Sequence, residues 1–303
     1  MNWAPVMFRA YTYWIKPKPP FNIMPHLRRF CLKNEPIPCI FDGKSCRRLV
    51  FIENMPVAYK VTIVSEGYDP SLKLDVFARN RALANGAFRI VREIYRVDFD
   101  YQKFIETCRK HRGIYELAKK YIGLRPTRAP SIYEALLDSI IEQNIGLSLA
   151  MKIKARFIRK FGEKIEINGE EYYSLPKPSV LANVAPERLK KEARLTTMKS
   201  KAIIEVANRV DELPSTDEIE ENPDEFTKII TRIKGIGIWT AQISIAKISK
   251  SFRVGPTNDL SVRRGFKYFL GISDEEEIRK LLDYFGEYAG LILYLTAFEG
   301  HKK

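Results

Sequence analysis

The stretch KGIGIWTAQISIAK, from Lys234 to Lys247, places two glycines one residue apart in front of a run rich in alanine and isoleucine. The flanking segments, DEFTKIITRI and WTAQISIAKIS, have apolar residues at helical spacing, so we predict two helices joined by a very tight connection within residues 224–249. Glycine has no side chain, so Gly235 and Gly237 allow a partner to approach the backbone closely. On its own, this pattern also fits a hairpin that only packs two helices together.

The start of the second predicted helix is suited to binding a phosphate group. The amides of Gly237, Ile238 and Trp239 point outward at the positive end of the helix dipole. Lys234 lies beside the glycines, and Thr240 is small enough to let the two helices cross closely. We therefore predict a helix-hairpin-helix that holds a DNA backbone without reading its sequence, in preference to a bare packing hairpin.

The composition of the whole chain supports an anionic partner. The 303 residues are 45% hydrophobic and 29% charged, as in a soluble globular protein of two or three domains. The formal net charge of +14 favours nucleic acid; an anionic membrane and a merely solvated lysine-rich surface are the alternatives. Neither a secretory leader nor a membrane span is evident, so we expect an intracellular protein with no membrane partner. Nothing in the sequence suggests more than a monomer. In a prokaryote it would be cytoplasmic and nucleoid-associated.

The cysteines and histidines do not have the spacing of a metal site. There are four cysteines and three histidines, at Cys31, Cys39, Cys46, Cys108, His26, His111 and His301. Without a C-x-x-C pair, a zinc site is not expected. We predict reduced, partly buried thiols and no required cofactor.

The periodicity of the chain divides it into a sheet region and a helical region. VAYKVTIV and LKLDVFAR alternate apolar and polar residues, which predicts an antiparallel sheet with one face in water, and MPHLRRFCLK predicts a helix. From about Phe88 the period becomes helical and remains so. One interruption, EINGEEYYSL, contains Asn168-Gly169 and predicts a small hairpin or an ordered loop.

A second feature follows the predicted hairpin, in FRVGPTNDLSVRRGF, where Asp259 stands at the head of a helix. Aspartate is a preferred helix N-cap, and this role accounts for the residue structurally. A cap does not account for an aspartate at this spacing after a phosphate-binding hairpin, beneath a Gly-Pro loop.

These features together resemble the helix-hairpin-helix DNA glycosylases that carry a Gly/Pro-rich loop and a catalytic aspartate, and most of all the AlkA-type 3-methyladenine DNA glycosylase II group. The resemblance covers nearly the whole chain: YTYWIKPKPPFN is similar to the entry into the family's sheet domain, and SIIEQNIGLSLAMKIKARFIRKFGE to its first long helices. SLPKPSVLANVAPERLKKEARLTTMKSKAIIEVAN is similar to the segment that leads to the hairpin, and KGIGIWTA to the hairpin itself.

The resemblance implies a fold and an activity. The fold would be α+β, with a small antiparallel-sheet domain at residues 1–95 and a helical HhH-GPD catalytic domain of two subdomains at residues 96–303. The activity would be that of a monofunctional glycosylase of base-excision repair. Such an enzyme flips an alkylated purine, such as 3-methyladenine, out of damaged double-stranded DNA and hydrolyses its N-glycosidic bond. Downstream enzymes would then process the abasic site.

The resemblance also assigns roles to residues. Asp259 would be the catalytic carboxylate that stabilises the oxocarbenium-like sugar. Bifunctional relatives carry a lysine at position 239 as a Schiff-base nucleophile, so Trp239 implies a glycosylase without AP-lyase activity. Trp239 and Tyr294 would form aromatic walls of the base pocket. Each of the two fits equally well as a core aromatic.

Two further segments of the chain have roles implied by the resemblance. Gln143 and Asn144 fall where the family inserts a side chain into the space left by the flipped base. The alkylbase enzymes are expected to have leucine there, so Asn144 is closer to the oxidised-purine branch; simple polar turn residues are the alternative. The hairpin also resembles hairpins that bind K⁺ or Na⁺ through backbone carbonyls, here those of Thr231, Ile233 and Ile236. No iron–sulfur cluster is expected.

Two other functions fit the same residues. One is a glycosylase for oxidised or deaminated purines, such as 8-oxoguanine or hypoxanthine. The other is a helix-hairpin-helix DNA-binding protein without catalysis, in which Asp259 is only a helix cap.

Overall fold

A six-stranded antiparallel sheet opens the fold in the computed structural model, which describes residues 8–300. Its strand order is β1-β6-β5-β4-β3-β2. The strands are β1 (Arg9–Ile15), β2 (Pro36–Ile37), β3 (Cys39–Phe41), β4 (Ser45–Ile52), β5 (Met55–Ser65) and β6 (Ser71–Ala78). The predicted α+β class, with a small N-terminal antiparallel sheet, is confirmed.

One face of this sheet is packed as its alternation predicts. Val57, Val61, Leu72 and Leu74 are all fully buried on that face. The helices α1 (Met24–Phe30) and α2 (Arg81–Ile94) belong to the same region. The prediction that the helical period starts near Phe88 was wrong. Helix α2 begins earlier because Asn80, directly after β6, caps it by accepting a hydrogen bond from the Leu83 amide.

The other face of the sheet is not left to water. The EINGEEYYSL segment forms a hairpin of β7 (Lys164–Ile167) and β8 (Glu170–Tyr173). The hairpin brings Tyr172, fully buried, against Leu49 and Ala58 on the second face of the sheet. The prediction of one wet face was therefore wrong for the middle strands, because a distant segment supplies the covering apolar surface.

The rest of the described chain is helical apart from that hairpin. The helices are α3 (Tyr101–Cys108), α4 (Arg112–Lys120), α5 (Ile132–Glu142), α6 (Leu147–Phe161), α7 (Pro178–Leu181), α8 (Pro186–Ala193), α9 (Thr197–Asn208), α10 (Thr216–Glu221), α11 (Pro223–Ile230), α12 (Ile238–Ile248), α13 (Leu260–Leu270), α14 (Glu275–Phe285) and α15 (Ala289–Gly300). Within residues 8–300, no helix is long and apolar enough to cross a membrane.

Two separate hydrophobic cores organise these helices. One core joins α5, α6, α8, α9, α11 and α12; the other joins α3 and α4 to α13, α14 and α15. Two helical groups are therefore present, as the fold class predicted. The predicted domain boundary between residues 95 and 96 stays a prediction. Residues 1–7 of the predicted sheet domain and residues 301–303 of the predicted helical domain lie outside the described part of the chain. The site lies between the two groups, where α12 meets the start of α13.

Candidate functional site

The two glycines of the hairpin differ in backbone conformation and in surroundings. Gly235 has a φ of +97°, a conformation that favours glycine, and a Cβ there would lie 2.9 Å from the side chain of Met198. Gly237 is the N-cap of α12, and a Cβ there would meet nothing within 4 Å. Only Gly237 therefore matches the expectation of an open backbone that a partner can approach.

The start of α12 is open at the surface. Lys234, Gly237 and Ile238 are exposed, Ile238 with 61% of its surface accessible. The first amides of a helix have no intrahelical acceptor, so those of the first turn of α12 remain available. The predicted phosphate-binding surface is therefore accessible.

Thr240 is an exception among the residues predicted to contact DNA. Its side chain is 2% exposed and pairs with Gln143, whose Nε2 donates to Thr240 Oγ1 and to the Gly235 carbonyl, both at 2.8 Å. The side chain is not accessible for the predicted DNA contact, because it packs inside the hairpin. Gln143 thus ties the end of α5 to the hairpin.

The turn after α5 carries the second candidate for insertion into DNA. Asn144 is exposed and has a φ of +52°. Lys199, a residue that the sequence analysis missed, braces this turn: its Nζ donates to the carbonyls of Ile141 at 2.9 Å and Gln143 at 2.7 Å. A lysine within a helical pattern gives no sign of this role, since lysine at such a position is usually solvated.

Asp259 uses its two carboxylate oxygens for two purposes. Oδ1 accepts the amides of Ser261 at 2.8 Å and Val262 at 3.3 Å, which caps α13. Oδ2 accepts a hydrogen bond from the indole Nε1–H of Trp239 at 3.0 Å. The capping role is therefore present, and one oxygen is in addition held by the hairpin helix.

A cleft of about 1080 Å³ brings the predicted residues together. Its lining includes Trp239, Asp259, Tyr294, Gln143 and Asn144. Trp239 and Tyr294 are half-buried, so each contributes an accessible aromatic surface as well as packing. Four elements distant in sequence thus meet at one cavity.

Two lysines in the cleft are neutralised by neighbouring carboxylates. Lys154 and Lys247 each pair with both Asp138 and Glu142. Burial opposes the charge of Lys154, yet the carboxylates of Asp138 and Glu142 raise its pKa above the usual value. This cluster links α5, α6 and α12 and contributes no net charge to the cavity.

His26 is a cleft residue that the sequence analysis did not assign to the site. It lies on α1, is 8% exposed, and its Nδ1 is 2.9 Å from the hydroxyl of Tyr294. Its Nε2 is 2.9 Å from the Thr127 hydroxyl. Burial, followed by the nearby Arg29 and Arg96, lowers the pKa of His26 to about 3, so the imidazole is neutral near pH 7.

This depressed pKa predicts a dependence of stability on pH. The unfolded histidine takes up a proton below its ordinary pKa of 6.5, while the folded one does so only near 3. The folded state therefore loses stability as the pH falls through this window. Urea unfolding should show wild type losing about 2 kcal/mol more than His26→Gln between about pH 7.5 and pH 5. Equal losses in the two proteins would contradict this origin.

The carbonyls predicted to bind a monovalent cation lie in the hairpin loop. That of Ile233 accepts the Ile236 amide at 3.0 Å, which leaves its second lone pair for a cation. Thr231 is the C-cap of α11, and its hydroxyl donates to the Thr227 carbonyl at 2.7 Å. A K⁺ or Na⁺ ion here stays a prediction. Among the described residues, no cluster of His, Cys, Asp or Glu could hold a metal ion.

Residues 137–287 match the model of the HhH-GPD superfamily of base excision DNA repair proteins. The chain is 28% identical over 181 residues to a DNA-3-methyladenine glycosylase of Bacillus subtilis (strain 168), covering 59% of each protein. It is 31% identical over 121 residues to DNA-3-methyladenine glycosylase 2 of Escherichia coli (strain K12), covering 39% of this chain and 42% of that protein. The chain thus spans about three fifths or less of these two relatives.

A solved structure extends the likeness to nearly the whole fold. The chain superposes on the 3-methyladenine DNA-glycosylase from Archaeoglobus fulgidus with a TM-score of 0.83. The match covers 95% of this chain and 98% of that one, at 23% identity. At this identity the likeness shows a shared architecture, sheet and helical cores together.

Proposed function

Because the chain belongs, through residues 137–287, to the HhH-GPD superfamily of base excision DNA repair proteins, we propose that it is a monofunctional DNA glycosylase that removes alkylated purines from duplex DNA. The observation that carries this proposal is the Asp259 carboxylate. It faces the cleft with one oxygen fixed by its helix cap and the other by the Trp239 indole.

The exposed start of α12 would grip the DNA backbone. Lys234 and the free amides beside Gly237 suit a phosphate, and the net charge of +14 adds a sequence-independent attraction. Gln143 is tied to the hairpin, so Asn144 is the better placed of the two for insertion into the space of a flipped base.

Asp259 would stabilise the positive charge that develops on the sugar as the base leaves. A carboxylate held by two amides and an indole N–H needs little reorganisation when that charge appears. An alkylated base is already cationic and leaves without much acid catalysis. The aromatic faces of Trp239 and Tyr294 would attract such a cation.

Two features of the cleft support hydrolysis without lyase chemistry. Position 239 holds tryptophan, which cannot form a Schiff base. The lysines that line the cleft, Lys154 and Lys247, are each paired with two carboxylates, and a protonated amine is not a nucleophile. A glycosylase for oxidised or deaminated purines is the second candidate, favoured by Asn144 in place of the leucine expected of alkylbase enzymes.

We propose that the protein is monomeric and cytoplasmic, passes its abasic product to downstream enzymes and requires no cofactor. A K⁺ or Na⁺ ion at the hairpin carbonyls would be structural.

End-labelled duplexes with one alkylated purine, hypoxanthine or 8-oxoguanine test this function. Strand breaks on the alkylated duplex only after alkali are the expected result, since alkali cleaves the abasic site that a monofunctional enzyme leaves. Breaks without alkali would contradict the monofunctional assignment. Breaks confined to hypoxanthine or 8-oxoguanine would favour the second candidate. Binding of every duplex without any strand break would indicate a DNA-binding protein without catalysis.

A further inference from the structure

Three polar groups form a chain at the edge of the cleft. The Thr127 hydroxyl lies 2.9 Å from Nε2 of His26, and Nδ1 of His26 lies 2.9 Å from the Tyr294 hydroxyl. His26 and Tyr294 are 268 residues apart in sequence and come from α1 and α15. The Phe30 ring lies 4.8 Å from the His26 ring, centroid to centroid, and makes this corner apolar. The hydrogen bonds are therefore stronger than they would be in water.

The contacts of Thr127 determine which nitrogen of His26 carries the hydrogen. The Thr127 backbone amide donates to Nε2 at 3.4 Å, and a backbone N–H cannot act as an acceptor. Nε2 must therefore present its lone pair. The imidazole is neutral because its pKa is lowered to about 3 by burial. Its one hydrogen lies on Nδ1, which donates to the Tyr294 oxygen.

This arrangement leaves the hydrogen of the Tyr294 hydroxyl unused. Across residues 8–300, His26 is the one hydrogen-bond partner found for that oxygen, and it is a donor. Tyr294 lines the cleft together with Trp239 and Asp259. A donor that the protein does not satisfy internally is available to a molecule in the cavity.

We propose that His26 is a positioning residue that holds the Tyr294 hydroxyl as a hydrogen-bond donor to an acceptor on the flipped base. Among purine lesions, the acceptor that distinguishes two classes is the O6 carbonyl of a 6-oxopurine, since a 6-aminopurine carries the N6 amino donor at that position. This hydroxyl therefore favours 6-oxopurines, such as 7-methylguanine, over 6-aminopurines such as 3-methyladenine. This inference rests on the proposed glycosylase function.

DNA treated with dimethyl sulfate tests the inference, because it carries 7-methylguanine and 3-methyladenine in one sample. The readout is the initial rate of 7-methylguanine release divided by the initial rate of 3-methyladenine release, each after subtraction of release without enzyme. A ratio cancels any difference in the amount of folded enzyme. Tyr294→Phe should lower this ratio by about 3- to 10-fold, the effect of one hydrogen bond in a dry site. Tyr288→Phe, outside the cleft lining, should leave it unchanged.

Variants of His26 then test whether it acts through the hydroxyl. His26→Leu should lower the ratio as Tyr294→Phe does, and should add nothing in the Tyr294→Phe background. His26→Asn keeps an N–H donor near the position of Nδ1 and should restore most of the ratio.

The outcomes separate this inference from the function on which it rests. If wild type releases neither base, both fall together. If wild type releases both bases but Tyr294→Phe leaves the ratio within about twofold, the inference is overturned and the glycosylase function stands. A further drop on adding His26→Leu to Tyr294→Phe would also overturn it, because His26 would then act by another route.

Discussion

Asp259→Asn is expected to lower the rate of alkylpurine release by about 10²- to 10³-fold, while duplex binding persists. Asparagine is as good an N-cap as aspartate, so the bonds to the Ser261 and Val262 amides can survive. What the variant loses is the negative charge facing the cleft. Single-turnover release from dimethyl sulfate-treated DNA measures the rate, and a gel-shift titration on undamaged duplex measures binding.

A matched control separates the charge from the cap. Asp274 caps the next helix, α14, by accepting the Glu277 amide at 2.9 Å, and it lies outside the cleft lining. Asp274→Asn should therefore change neither release nor binding. Trp239→Phe keeps the carboxylate but removes its indole donor, and should reduce release by about tenfold. An unchanged rate of alkylpurine release by Asp259→Asn would mean that Asp259 is only a helix cap.

The sequence could predict the hairpin and the start of α13 because both follow local rules. Two glycines between helical patterns predict the hairpin, and an aspartate before LSVRRGF predicts the start of α13. The bond between Trp239 and Asp259 could not be predicted, because it depends on how α12 and α13 cross. His26 was missed for the same reason: its partner lies 268 residues further on, and no local period connects α1 to α15.

The second face of the sheet shows the same limit for the fold. Strand alternation correctly identified the buried face that contains Val57 and Val61. It could not show that Tyr172, from a hairpin much later in the chain, would cover Leu49 and Ala58. Alternation describes a strand's own residues, and burial also depends on which distant segment packs there.

Gly265→Ala is expected to destabilise the protein by about 3 kcal/mol or more and to reduce glycosylase activity with it. Gly265 is buried in α13, six residues after Asp259, where this helix packs against α15. A Cβ there would overlap the backbone carbonyl of Thr296 in α15. The helix backbone cannot yield as a side chain can, so the two helices must separate.

That separation would also disturb the site, because α13 begins at Asp259 and α15 carries Tyr294. Thermal unfolding should show Tm lowered by roughly 6–12 °C. Gly146→Ala is the matched control: a Cβ there meets nothing within 4 Å, and replacing the glycine N-cap of α6 should cost less than about 1 kcal/mol. A Tm for Gly265→Ala equal to that of Gly146→Ala would mean that α13 and α15 do not pack backbone to backbone at Gly265. The position of Asp259 relative to Tyr294 would then depend on the other close approach of the two helices, where Gly300 of α15 lies against the Ser261 carbonyl of α13.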